Sequence, residues 1–327
     1  ALLLGAALLT KSSALLFMII VPLELLLVNA KRTIPWRALG YFVIAACLAF
    51  VYQAVQYVSP DVGFIAEKNT VFIYTWQELR TQIGAVVSSN LPLFGSWIAW
   101  YIPLPLLILS ALTAWRDRKN LRVYGLLLFA FSIPFGVAVA TGKIVYPRHL
   151  FFATVPLLIL GAAALVQMKS LVRQRRVRAA LWLLCLLPAL YVSGRILVDF
   201  KSAPLPAADQ FQYIDGWPAG WGVKEIVRFL QVEAEKGKIT VVTEGTFGSM
   251  PTTIMQLYFG NYPQVHIQPV DDTTFEIPLS VDRGYPVYAI LNKTQEIPSN
   301  WGAEEVLKIQ KGNGDSYIRL VKVISGR

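Results

Sequence analysis

The chain has 327 residues, 55% of them hydrophobic and only 15% charged, with a mean hydropathy of +0.51. Soluble globular chains carry about 45–50% apolar and about 25% charged residues, and disordered chains are less apolar still. Both classes are excluded, and the 22 Gly and 19 Pro follow no repeat, so what remains is a membrane protein with a soluble part attached.

The net charge of +10 is unevenly spread. Residues 1–200 hold 18 Lys/Arg against 6 Asp/Glu, while residues 201–327 hold 12 against 14. Basic side chains that flank apolar spans set topology in a bilayer. The charge therefore gives no reason to expect a nucleic-acid partner. Cys47 and Cys185 both lie in apolar runs, with neither a zinc spacing nor a disulfide framework.

Ala1 opens inside an apolar run, without the basic start and small-residue cleavage site of a signal peptide. The chain reads as a fragment whose upstream part is missing. A helix crosses a hydrocarbon core of about 30 Å with about 20 apolar residues. Ala1–Leu9 reads as the end of one such span. Ser13–Asn29, Ala38–Tyr57, Phe94–Trp115, Val123–Thr141, His149–Met168 and Ala179–Val198 read as six complete ones. Glu24, inside the second, is an intramembrane acid, expected in the cytoplasmic half as a buried structural partner.

Basic residues gather in three loops: Lys31, Arg32 and Arg37; Arg116, Arg118, Lys119 and Arg122; and Lys169, Arg173, Arg175, Arg176 and Arg178. Two spans separate each cluster from the next, so all three fall on one side, which the positive-inside rule makes cytoplasmic. Segment 58–93, the 142–148 loop and everything after Phe200 then face outward. Within 58–93, Trp76, Leu79, Ile83, Val86 and Val87 share a helical face, as in a short helix lying on the membrane surface or packed on the soluble domain.

The Pro-containing stretch Lys201–Ala208 reads as a boundary. Beyond it, Val223, Ile226, Val227 and Leu230 mark an amphipathic helix that stops at Gly237, and Ile239–Thr243, Val265–Val270 and Val287–Leu291 read as strands. Ser249 and Pro251 read as the N-cap and first residue of a further helix. Gly312-Asn313-Gly314-Asp315 reads as a hairpin turn between Val306–Gln310 and Tyr317–Val323. The predicted fold class is thus a polytopic α-helical membrane protein, with about six complete spans and one partial span over 1–199. A small extracytoplasmic α/β domain occupies 200–327.

Candidate chemistry lies at the outer helix ends. Lys11, Lys143 and Arg148 defy the inside bias, as do Lys68 and Arg80. A Lys offers a point charge and an Arg a forked contact to a lipid phosphate, with Tyr146 and His149 beside Arg148 able to add hydrogen bonds. The alternative is that each is a snorkelling anchor. Gly245-Thr246-Phe247-Gly248-Ser249 joins a strand to a helix start, where an anion can sit, although an ordinary turn has the same pattern. His266 falls in a strand and reads as structural.

Ala7-Leu8-Leu9-Thr10-Lys11-Ser12-Ser13-Ala14-Leu15-Leu16, Tyr146-Pro147-Arg148-His149-Leu150 with Pro156, and Trp217–Glu225 together resemble the GT-C glycosyltransferases. The match is to the family-39 group of protein mannosyltransferases and lipid A aminoarabinose transferases. The resemblance implies a multi-pass enzyme of the cell membrane that moves a sugar from a polyprenyl-phosphate carrier to a protein, lipid or glycan acceptor at the outer face. It implies that Lys11 and Arg148 hold the carrier phosphate and that the acidic catalytic residue lies upstream of Ala1. No cofactor is expected, with a divalent metal left open. The competing class is a non-catalytic transporter or envelope protein with an extracytoplasmic sensor domain. Apolar spans largely uninterrupted apart from Glu24 and prolines such as Pro134 and Pro156, with polar groups at their outer ends, favour surface chemistry over translocation.

Overall fold

The computed structural model describes residues 1–10, 14–23, 36–59, 62–63, 70–245, 250–270, 284–299 and 301–326. The chain divides into two compact units, Ala1–Ser193 and Gly194–Arg327.

The first unit is helical: α1 (Leu2–Thr10), α2 (Ala14–Met18), α3 (Trp36–Gln53), α4 (Trp76–Tyr101), α5 (Leu104–Arg116), α6 (Leu121–Thr141), α7 (Phe151–Leu171) and most of α8 (Arg175–Val198), whose last residues belong to the second unit. Leu- and Ala-rich runs propagate helix well, and in lipid a helix satisfies every backbone polar group within itself. Among the described residues, Trp36–Val58, Arg118–Thr141, Phe151–Leu171 and Arg175–Val198 are long and apolar enough to cross a membrane. The pair α4–α5 adds a fifth span if it counts as one broken crossing. The expected Ser13–Asn29 span, with Glu24 in it, falls largely outside the described residues.

The span expected at Phe94–Trp115 is not one helix. Its first half is the end of α4, and the chain turns by 91° before α5. Pro103 explains the break: it lacks an N–H, and its ring drives Ile102 out of the helical region to φ −117°, ψ 110°. Nor is the amphipathic stretch at 76–87 a separate surface helix; it is the first half of α4, with Leu79 and Val86 buried and Trp76 and Ile83 exposed. Helix α4 starts on a capping box, in which Thr75 Oγ1 accepts the Glu78 N–H and the Glu78 carboxylate accepts the Thr75 N–H at 2.7 Å.

Helix α7 is the centre of the unit, with 44% of its span buried against 6% for α3 and for α8. Ile98, Ile102, Leu106, Leu157, Leu160 and Met168 form the core around it. Gly161 lets α7 approach α5 closely: a Cβ there would stand 2.7 Å from Leu106 Cδ2. Small residues serve this purpose at helix contacts in membranes, where no hydrophobic effect drives association.

The second unit carries a five-stranded sheet of β1 (Ile239–Glu244), β2 (Val265–Val270), β3 (Val287–Leu291), β4 (Trp301–Gln310) and β5 (Tyr317–Gly326) in the order β2-β1-β3-β5-β4. The first three strands run parallel and β5 pairs antiparallel with β3 and with β4. Helices α9 (Val223–Lys236) and α10 (Thr252–Phe259) cover one face, packing Ile226, Leu230, Met255 and Phe259 on Tyr288 and Ile318. Every residue of β1 and β3 is buried, as a parallel strand covered on both faces requires. Helix α10 begins one residue later than expected, with Pro251 at the capping position and Ser249 outside the described residues.

The sheet unit buries one cation completely. Lys311 Nζ donates to the carbonyls of Trp217 and Ala219 at 2.6 and 2.7 Å and to Asn292 Oδ1 at 2.6 Å. The backbone at Asn292 in turn serves the buried Glu244 carboxylate at the end of β1, which accepts the N–H groups of Asn292, Lys293 and Thr294 at 2.6–2.7 Å. Both charges are thereby satisfied by hydrogen bonds, as buried charges must be.

Candidate functional site

The turn between α6 and α7 carries four of the five expected site residues. Lys11, the fifth, lies outside the described residues, as do Lys68 and residues 246–249 of the suspected anion loop.

Three ties hold this turn against the start of α4. The backbones of Ile73 and Gly142 form an antiparallel bridge, with Tyr74 N–H donating to Thr141 O and Lys143 N–H to Phe72 O, both at 2.9 Å. Asn90, from within α4, donates to the carbonyls of Val139 at 3.1 Å and Gly142 at 2.8 Å, which are left over at the C-terminus of α6. Across this contact, Lys143 Nζ meets Glu78 Oε1 at 2.8 Å.

The four residues then take distinct places. Lys143 is exposed but ion-paired, and its ammonium also stands 5.5 Å from the Tyr74 ring. Tyr146 is half-buried at the head of a 3-10 turn, Pro147–His149, and its N–H points to His149 Nδ1 at 3.4 Å. His149 sits edge-on to Phe72 and to Tyr146, which fixes the imidazole between two aromatic rings. Arg148 is exposed, with its guanidinium 5.3 Å from the Tyr146 ring centre. Among the described residues no carboxylate pairs with it. No protein-family model, characterised protein or solved structure matches the chain.

An aromatic face restrains a guanidinium without neutralising it, so the fork of Arg148 keeps its N–H donors for an anion. Lys143 differs, because a phosphate there has to displace or share Glu78. Arg80, also counted among the outer cations, lies 5.5 Å over the Trp76 ring. Sequence reasoning missed Glu78, Phe72 and Tyr74. The T-x-x-E capping signature at Thr75–Glu78 was the legible signal for Glu78, whereas pairing of 72–74 with 141–143 leaves none. Among the described residues no group of three or more His, Cys, Asp or Glu is placed to hold a metal.

The two basic loops described on the helical unit lie together. Arg116 shares pocket walls with Ser170, Leu171 and Val172, so the loop after α5 and the loop after α7 are at one end. Helix α6 leads away from that end over 21 residues, or about 30 Å, before reaching the Lys143–His149 turn.

Proposed function

We propose that the chain is a membrane glycosyltransferase of the GT-C kind, and that the Lys143–His149 turn holds the phosphate of a polyprenyl-linked sugar donor. The observation that supports this reading best is the state of Arg148: exposed, free of a carboxylate partner among the described residues, and restrained by Tyr146. A preorganised cation is what a departing phosphate needs, because charge develops there as the sugar C1–O bond breaks. The acceptor oxygen forms the new bond to C1 and gives up its proton to a base, a role assigned to no described residue. His149, held by Phe72 and Tyr146, lines the approach to the same anion.

The separation of this turn from the basic loops by the length of α6 fits a site at the outer surface of a cell membrane, with the sheet unit outside. The complete form of the reading has six spans and one partial span, and a protein, lipid or glycan acceptor. Polyprenyl phosphate added to the detergent-solubilised chain is expected to raise its melting temperature. At a hundredfold excess over Kd the stabilisation is about 2.7 kcal/mol. Arg148→Ala is expected to abolish the shift while leaving the helical content intact. An equal shift in Arg148→Ala, or none in the parent chain, contradicts the assignment.

A further inference from the structure

At the opposite end of the helical unit, a groove of about 510 Å³ runs between α5, the end of α7 and α8. Ile108, Leu112, Trp115, Leu171, Leu181 and Leu184 make its walls, and Arg116 lines it too. A second, polar pocket of about 260 Å³ adjoins it, lined by Thr113, Arg116, Asp117, Gln167, Ser170 and Leu171. The two share Arg116 and Leu171. Any membrane helix faces acyl chains; this groove is distinguished by a charged group in its lining and an adjoining polar chamber.

Two further observations bear on what the chamber takes. Thr113 is only 3% exposed, yet its hydroxyl has no hydrogen-bond partner among the described residues. Such orphans are rare, since an unmet buried polar group costs stability. Asp117 is by contrast already engaged, accepting Asn120 Nδ2 at 2.8 Å and the Tyr124 hydroxyl at 2.9 Å. Arg116 is exposed and without a carboxylate partner among the described residues. The chamber therefore offers an uncommitted guanidinium beside an apolar slot, with the unsatisfied Thr113 hydroxyl buried in its wall.

We infer that this composite cavity binds an anionic phospholipid, one acyl chain in the apolar groove and the phosphate between Arg116 and Thr113. Charge selects the class. A choline headgroup brings a fixed positive charge into a site already flanked by Arg118, Lys119, Arg173, Arg175 and Arg176, whereas a glycerol or serine headgroup leaves the lipid net negative. The volume is within the roughly 300–1,000 Å³ of small-molecule sites. This inference stands apart from the donor site, since it involves neither the Lys143–His149 turn nor any transfer step.

The test is native mass spectrometry of the full chain in mild detergent, titrated with palmitoyl-oleoyl phosphatidylglycerol or with the phosphatidylcholine of the same chains. Phosphatidylglycerol is expected to be retained about tenfold better, the scale of a charge-assisted contact. Arg116→Gln is expected to erase that preference, and Thr113→Val to weaken it with the fold intact by circular dichroism. Lys224→Gln, which removes a charge on the sheet unit, is expected to leave it unchanged. Equal retention of the two lipids overturns the inference, as does an Arg116→Gln variant with the parent's preference. An equal loss in Lys224→Gln overturns it by showing diffuse attraction. Displacement by soluble glycerol phosphate at matched concentration overturns it by showing that the headgroup alone is the ligand.

Discussion

At the scale of single residues, Lys311 shows how the sheet unit handles a buried charge. Its ammonium has three N–H donors and meets three acceptors, so all are used. Burial nevertheless pushes its pKa down to about 8, partly offset by the negative Glu244. Lys311→Met strands two carbonyls and an amide oxygen, each costing about 1–3 kcal/mol, so the sheet unit is expected to lose at least about 3 kcal/mol in urea unfolding. A variant as stable as the parent contradicts the role of Lys311 as a pin. The pH dependence has a definite sign. The folded pKa of about 8 lies below the ordinary lysine value of 10.5, so between them the unfolded chain holds more protons. The parent's stability relative to Lys311→Met is therefore expected to rise as pH climbs through that window. A flat or falling difference between pH 8 and 10 counts against it.

At the scale of elements, the helical unit depends on close contact between α5 and α7 at Gly161 and Leu106. Gly161→Val adds bulk where a single Cβ is already too near, and is expected to cost about 1–3 kcal/mol and to lower the melting temperature in detergent. Gly125 has open space around its Cβ position, so Gly125→Val is the control that should leave the melting temperature nearly unchanged. Equal losses at both positions remove the packing argument. The same scale shows what a sequence discloses. Apolar runs made α3, α6, α7 and α8 legible, since helices in lipid are selected by length and hydropathy alone. The break at Pro103 was equally present as Ile102-Pro103-Leu104-Pro105, but hydropathy averages over it. The amphipathic face at 76–87 was read correctly as helical and wrongly as separate, because periodicity reports a face and not a length. In the sheet unit, β3 and the β4–β5 turn followed from β-branched runs and Gly-Asn-Gly. The first half of β4, Trp301–Glu305, is polar and alternates weakly, so it was missed.

At the scale of the whole molecule, charge asymmetry and geometry agree on a polarity. Two basic loops share one end of the helical unit, and the Lys143–His149 turn is an α6 length away. The site itself was only half legible. Arg148 and its neighbours stood out because they lie a helix length away from the basic loops, whereas the pairing of Lys143 with Glu78 joins residues 65 apart in sequence and leaves no local trace. With Cys47 and Cys185 replaced by Ser, a cysteine at Ile144 is expected to react with a membrane-impermeant maleimide in intact cells. One at Lys119 is expected to react only after permeabilisation. Labelling of both from the same side contradicts the polarity.

Photo-crosslinking with a diazirine-bearing polyprenyl phosphate, mapped by peptide mass spectrometry, tests the proposed donor site most directly. Label is expected on the Tyr146–His149 turn, competed away by excess unlabelled carrier and removed by Arg148→Ala. Label spread over the apolar helices, unaffected by competitor or by Arg148→Ala, contradicts it.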